Sequence, residues 1–171
     1  MINTQSISAR TFTEAAPLLE VRDDIGLERV TDQNVPQVYG MIQDNYRFLK
    51  RFVGLRTSND GIVHDQQGID LSKDLQYIIS YNDRSAGTIN FHHKIGNTVF
   101  MGYWLIEEAQ GKGLAIRSAL KLRDYGRAEL GLKRIMLNIR ASNIPSLKVA
   151  ERLGATQLKA AAWPGYQTWI I

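Results

Sequence analysis

From Leu75 to Ile106 apolar and polar positions alternate with a period of two. "LQYIISYN", "SAGTINFHHKI" and "NTVFMGYWLI" are three such runs, parted by the turn signals Asn82-Asp83 and Gly96-Asn97, and they predict an antiparallel meander. Ahead of them, "LLEVRDDIGLERV" alternates well enough for a first strand or hairpin. In "TDQNVPQVYGMIQDNYRFLKRFV" the period lengthens: Val35, Val38, Ile42, Tyr46 and Leu49 recur at helical spacing, Thr31 or Asp32 can cap, and Pro36 is tolerable only in the first turn. The stretch after it, "GLRTSNDGIVHDQQGIDLSKD", is polar and glycine-punctuated, which predicts a mobile loop with a short helix.

Past Ile106 a helical face is formed by Ala115, Ala119, Leu122, Gly126 and Leu130, with Arg117, Lys121 and Asp124 on another face and Gly131 at the end. "RIMLNIR" then reads as a strand, "NIPSLKVAERLG" as a short helix with Pro145 near its start and Gly154 after its end, and "GYQTWII" as a closing strand. Two strand-helix-strand crossovers in the last third require a parallel segment within a mixed sheet. The fold class is therefore α+β, a mixed and mostly antiparallel sheet flanked by helices. With neither repeat nor linker in view, residues 1–16 are expected to be a flexible tail and residues 17–171 a single domain.

Composition narrows the function. The 171 residues suffice for one sizeable core, and no run approaches the ~18 apolar residues of a membrane span. The N-terminus lacks a basic start followed by an apolar region, so a cytoplasmic protein is expected. Zero cysteines exclude a thiolate nucleophile and Cys-based zinc sites, and three histidines without supporting spacing predict no metal centre. Charge is asymmetric: residues 1–109 hold 10 Lys and Arg against 14 Asp and Glu, whereas residues 110–171 hold 11 against 3. Nucleic acid could exploit such a basic half, but no nucleic-acid-binding motif accompanies it, and a phosphorylated small ligand fits better.

The basic half begins at "EEAQGKGLAIRSAL". Between a strand end and a helix start the first N–H groups have no internal partner and sit at a positive dipole end, so Gly111 and Gly113 would let an anion approach, Gln110 to Ala115 could wrap it, and Lys112 would add charge. The P-loop pattern is absent, and a dinucleotide fingerprint would need a glycine at Ile116.

What matches is Q-x-x-G-x-A, at Gln110, Gly113 and Ala115, within "GYWLIEEAQGKGLA". This segment resembles the pyrophosphate loop of the GCN5-related N-acetyltransferases (GNAT), in their RimJ/RimL-type branch. "DNYRFLKRF", "GTINFHH" and "NIPSLKVAERLGA" extend the resemblance in family order over roughly residues 19–171. It implies the GNAT fold with its sheet splayed between "YWLI" and "MLNI" to admit acetyl-CoA. The backbone of Leu105 and Ile106, at a bulged strand end, would meet the pantetheine arm and acetyl carbonyl. The loop Gln110, Gly111, Lys112, Gly113, Leu114 and Ala115 would bind the pyrophosphate. Asn143 would contact CoA besides capping its helix, and Lys148, with Arg152, would approach the 3′-phosphate or else form a solvated basic face.

For catalysis the resemblance points to Ser146, placed to hydrogen-bond the departing thiolate where many family members use a tyrosine four positions on, here Ala150. His92 is a candidate for base or acceptor-binding work; neighbouring His93 should face the opposite way. RimL-like enzymes carry an acidic general base after the last helix, but "QLKAAAWPGYQ" holds none. The expected activity is direct acetyl transfer from acetyl-CoA to a primary amine, a protein or peptide N-terminus by branch analogy, or a small-molecule amine. The missing acid favours, as the alternative, a non-catalytic acyl-CoA-binding or regulatory module. The aromatics of "AAAWPGYQTW" could serve a homodimer edge.

Overall fold

The computed structural model describes residues 11–22, 24–52, 55–58, 61–64, 71 and 73–171, with backbone alone at 55–58 and 61–64. Strands β1 (Leu18–Arg22) and β2 (Ile25–Arg29) form a hairpin, followed by helices α1 (Val35–Asp44) and α2 (Tyr46–Leu49). A two-stranded hairpin, β3 (Leu55–Ser58) and β4 (Gly61–His64), precedes the meander β5 (Leu75–Tyr81), β6 (Arg84–Ile95) and β7 (Thr98–Leu105). The chain closes with α3 (Leu114–Ala128), β8 (Arg134–Arg140), α4 (Ile144–Arg152), β9 (Thr156–Gln157) and β10 (Tyr166–Ile170). Eight strands form the main sheet in the order β1-β2-β5-β6-β7-β8-β10-β9. Only β7 and β8 pair in parallel.

Four sequence expectations change. The helix expected from Thr31 onward starts at Val35 with Asn34 as its N-cap, because Asn34 Oδ1 accepts the Thr31 N–H at 2.8 Å and holds a turn there. It also breaks at Asn45, whose side-chain amide donates to the Met41 carbonyl at 3.0 Å, competing with the helical ladder. The polar stretch expected to be loop and short helix contains the β3–β4 hairpin; its remainder from 65 to 70 lies outside the described residues. Residues 11–16 are no loose tail: Tyr77 Oη donates to the Ala16 carbonyl at 2.8 Å, the Ala16 N–H donates to Tyr125 Oη at 2.7 Å, and Ala15 is buried. Residues 1–10 lie outside the described residues. Finally, β10 runs antiparallel to β8, so the second crossover joins β8 to the unexpected two-residue β9, with β10 inserted between them.

Two apolar clusters fill the two sides of the sheet. Inward residues of β5 to β8, among them Tyr77, Ile79, Ile89, Phe91, Ile135 and Leu137, pack with Leu114, Ala119 and Leu122 of α3. On the opposite side Ile78 and Trp104 meet Val38, Met41 and Ile42 of α1 and Leu49 of α2. Burying each large aliphatic side chain contributes roughly 1.5–3 kcal/mol.

One tight contact fixes the strand that matters for the site. A Cβ on Gly87, whose φ is +153°, would stand 2.1 Å from the Trp104 carbonyl oxygen and 2.7 Å from Leu105 Cα, both rigid backbone. Gly87→Ala should therefore cost about 3 kcal/mol or more of stability, among the large effects of point substitutions, as read by chemical denaturation. An unchanged unfolding midpoint would show that β6 does not approach β7 this closely.

Candidate active site

The parallel ladder between β7 and β8 is short. It joins Thr98 to Arg134, Val99 to Ile135 and Phe100 to Met136, and then the strands part. Beyond that point β7 stays paired to β6 as far as Leu105 opposite Gly87, while β8 stays paired to β10 as far as Arg140 opposite Tyr166. Beside the end of β7 that this leaves free opens a cleft of about 360 Å³, lined by Tyr103, Trp104 and Leu105 of β7, Gln110 to Ile116 without Lys112, Phe48 of α2 and Phe52 beyond it, and Asn143, Ser146, Lys148, Val149 and Arg152 of or beside α4.

The backbone of β7 faces this cleft in part. The Ile106 N–H donates to the Ala86 carbonyl at 2.9 Å, and alternation along an antiparallel strand then turns the polar groups of Leu105 and Tyr103 toward β8. The Leu105 carbonyl accepts from Gln110 Nε2 at 3.2 Å. Leu105 lines the cleft, whereas Ile106 does not: its N–H is taken by Ala86 and its carbonyl accepts the Ala109 N–H at 3.1 Å. Nor is Leu105 bulged. The irregularity lies one strand away, where β5 pairs Ile79 with Gly87 but Ser80 with Ser85, leaving Ala86 as the extra residue.

The loop after β7 is shaped by two left-handed glycines, Gly111 at φ +74° and Gly113 at φ +71°. Gly113 is the N-cap of α3 and offers no side-chain hydrogen bond, whereas α4 is capped by Asn143, whose Oδ1 accepts the Ser146 N–H at 3.4 Å. No atom lies within 4 Å of where a Gly111 Cβ would stand. Arg117 folds back over the other side of the loop, donating to the carbonyls of Lys112 at 2.9 Å and Gly113 at 3.4 Å, and pairs with Asp24 at 3.6 Å. With those carbonyls held by Arg117, the first-turn N–H groups of α3 remain for an anion. Lys112 is the loop residue that does not line the cleft: its ammonium lies 5.2 Å over the Tyr81 ring. Lys148 and Arg152 supply cationic lining instead.

Ser146 lines the cleft, and sequence reasoning missed its neighbour. Tyr103 Oη lies 3.5 Å from the Ser146 carbonyl oxygen, and burial pushes its hydroxyl up to about 12. A phenol so shifted stays protonated at neutral pH and can only lose its proton to a strong base. The sole sequence signal was parity: Tyr103 shares a strand face with Met101 and Leu105. His92, opposite Phe100, does not line the cleft; its Nε2 stands 3.6 Å from where a Gly102 Cβ would be, on the α1–α2 side of the sheet. The expectation that His93 points away from it fails. His93 has φ +50° at a β-bulge, which brings the two Nδ1 atoms to 2.6 Å. Among the described residues no three His, Cys, Asp or Glu side chains group to hold a metal, and no helix is long and apolar enough to cross a membrane.

The profile of the acetyltransferase (GNAT) domain matches residues 24–156. The ribosomal-protein-serine acetyltransferase of Escherichia coli (strain K12) is 26% identical over 150 residues, spanning 80% of this chain and 81% of that protein. Probable N-acetyltransferase YjcK of Bacillus subtilis (strain 168) is 28% identical over 128 residues, 67% of this chain and 71% of that one. Among solved structures, RimL, a ribosomal L7/L12 alpha-N-protein acetyltransferase in complex with coenzyme A, superposes with a TM-score of 0.72 at 19% identity, covering 90% of this chain and 97% of RimL. The microcin C7 self-immunity acetyltransferase MccE, in complex with acetyl-CoA and AMP, gives 0.67 at 22% identity, covering 92% and 97%. At these identities the structural likenesses bear on fold.

Gly113→Val would put a branched side chain at a left-handed position in front of the α3 amides. Calorimetry should find CoA affinity lowered at least about tenfold, the loss of one to two favourable phosphate contacts. Unchanged affinity would place the phosphates elsewhere.

Proposed function

The chain belongs to the GNAT acetyltransferase family and is an N-acetyltransferase, and from that premise we propose that it transfers acetyl from acetyl-CoA directly to the amine of a protein or peptide N-terminus. The observation that carries the reading is a single cleft holding both the uncapped start of α3 and the end of β7 at Leu105, which lies beyond the last β7–β8 pair. The residues fit the co-substrate. Gly111, Gly113 and the amides from Leu114 would take its pyrophosphate, Lys148 and Arg152 its remaining phosphate, and the Leu105 backbone its arm and thioester carbonyl. Acetyl-CoA supplies an activated acyl group with a thiolate leaving group.

A neutral amine arriving through the gap from the α1–α2 side attacks the thioester carbonyl carbon. A C–N bond forms, the C–S bond breaks with its electron pair on sulfur, the amine's proton passes to solvent, and a hydroxyl beside α4 hydrogen-bonds the departing thiolate, which takes its proton from solvent. Ser146 fills that last role, with Tyr103 adjacent. No cysteine exists for a covalent acyl-enzyme on sulfur.

Incubating the protein with acetyl-CoA and an acceptor library, with thiol release and product masses followed, tests the reading. Ser146→Ala should lower kcat about ten- to a thousandfold with acetyl-CoA affinity nearly intact. If Tyr103→Phe shows that loss and Ser146→Ala does not, the phenol is the donor and Ser146 only starts the helix.

The pH profile gives a second check. An α-amine has a reference pKa of about 7.7–8.0 and a lysine amine about 10.4, so at pH 7 roughly a tenth of the former and under a thousandth of the latter are neutral. The Tyr103 hydroxyl, raised to about 12, introduces no break below pH 10. The rate should climb with pH as the acceptor itself deprotonates, with no carboxylate break near pH 5 to 6. Faster acetylation of lysine side chains than of free N-termini at neutral pH would reject the N-terminal reading.

A further inference from the structure

On the α1–α2 side of the sheet one row of positions crosses the gap. Gln76 of β5 pairs with Asn90 of β6, Asn90 with Gly102 of β7, and Asn138 of β8 with Thr168 of β10. Gly102 and Asn138 face each other across the split, two residues past the last β7–β8 pair, Phe100 with Met136. Faces agree: Trp104, two residues on from Gly102, packs with α1, and Arg140, two on from Asn138, donates to the Arg51 carbonyl at 3.5 Å. Apart from the glycine the row is polar and uncharged. Gln76 and Thr168 are only 4% and 2% exposed.

The glycine gives the row its shape. A Cβ on Gly102 would stand 2.7 Å from Asn90 Oδ1 and 3.6 Å from His92 Nε2, so Asn90 leans over the bare strand toward the split. Across the gap, Asn138 Oδ1 accepts from Thr168 Oγ1 at 2.8 Å, and Thr168 in turn accepts the Ala162 N–H at 3.0 Å. That chain fixes Asn138 with its amide nitrogen left to donate. The Asn90 side chain makes no hydrogen bond to a described residue. Two carboxamides, each able to offer a donor or an acceptor, thus flank a notch at the mouth through which the amine must pass.

We infer that this notch, formed by Asn90, Gly102 and Asn138, is the acceptor subsite and that it reads the peptide group next to the reacting amine. The inference rests on the N-terminal acetyl-transfer reading above and adds the substrate's recognised feature. An N-terminal residue carries a carbonyl and an N–H within two bonds of its α-carbon, which can satisfy both carboxamides. The ε-amine of lysine, or an alkylamine, brings four methylenes instead and leaves the carboxamides desolvated and unpaired. A site built to hydrogen-bond a substrate discriminates strongly against one that lacks the matching groups.

The test compares acetylation of an alanine tripeptide amide with that of the ε-amine of Nα-acetyl-lysine amide, both rates expressed per neutral amine. Wild type should favour the tripeptide at least about tenfold. Asn90→Leu, close to isosteric, and Gly102→Ala, whose methyl displaces a rotatable side chain rather than backbone, should each lower kcat/KM for the tripeptide about ten- to a hundredfold and change the ε-amine rate less than about threefold. Calorimetry of the N-acetylated tripeptide with CoA-saturated protein should show its binding weakened in both variants while CoA binding is kept. Equal losses for both amines, or an intact tripeptide preference in the variants, would overturn the notch and leave the N-terminal reading standing. A wild type that favours the ε-amine, or acetylates neither, would overturn both.

Discussion

Everything at this site depends on two parallel strands being prevented from pairing. A parallel ladder normally runs on as long as both strands last, since each unpaired N–H or C=O removed from water costs on the order of 1–3 kcal/mol. Here the pairing stops at Phe100 and Met136, while each strand goes on paired to its other neighbour and follows it away from the split. β7 is drawn to β6 by the close approach at Gly87 and by the Ile106 to Ala86 hydrogen bond, and β8 by a five-residue ladder to β10. Polar backbone left over in a dry sheet must be satisfied by something. The cleft between the strands is therefore adhesive along its length, and an extended, amide-bearing arm is the natural complement.

The gap also joins the two faces of the sheet, which otherwise have separate cores. On one side lie α3 with its bare first turn and α4 with Ser146, Lys148 and Arg152; on the other lie α1, α2 and the polar row of Asn90 and Asn138. A phosphate-bearing donor and an amine can then approach the same point from opposite directions, separated by sheet everywhere except at the split. The helix ends divide the labour by capping alone. Asn143 closes the start of α4, while Gly113 leaves that of α3 open, and Arg117 holds the loop carbonyls so that they do not face the anion.

How far this was legible in the sequence follows from the range of the forces involved. The meander, the last two long strands and the α3 glycine loop rest on local period and local backbone freedom, and they stand where the sequence puts them; of the residues singled out for the site, Leu105, Gln110, Gly113, Asn143, Ser146 and Lys148 line one cleft. Features decided by a distant partner were not legible. Lys112 turns to a ring thirty-one positions earlier, Tyr103 reaches α4, and β10 inserts between β8 and β9. His92 and His93 violate strand alternation because a bulge with a left-handed residue intervenes, and histidine gives no warning of it as glycine would.

The missing carboxylate acquires a physical sense from the same geometry. A general base is needed when the amine reaches the thioester as an ammonium ion. An amine entering this gap meets no acid in the polar row, while Lys148 and Arg152 line the cleft beyond and Arg117 backs the loop. Desolvation in the split disfavours the ammonium form and lowers the amine's pKa. For an α-amine, already near 8 in water, a modest shift in that direction makes the neutral nucleophile the predominant species at physiological pH. For a lysine amine the same shift leaves the ammonium predominant. On the proposed reading, then, the uncharged row replaces the base by selecting acceptors that do not need one, and the same absence that removes a catalytic group sets the substrate class.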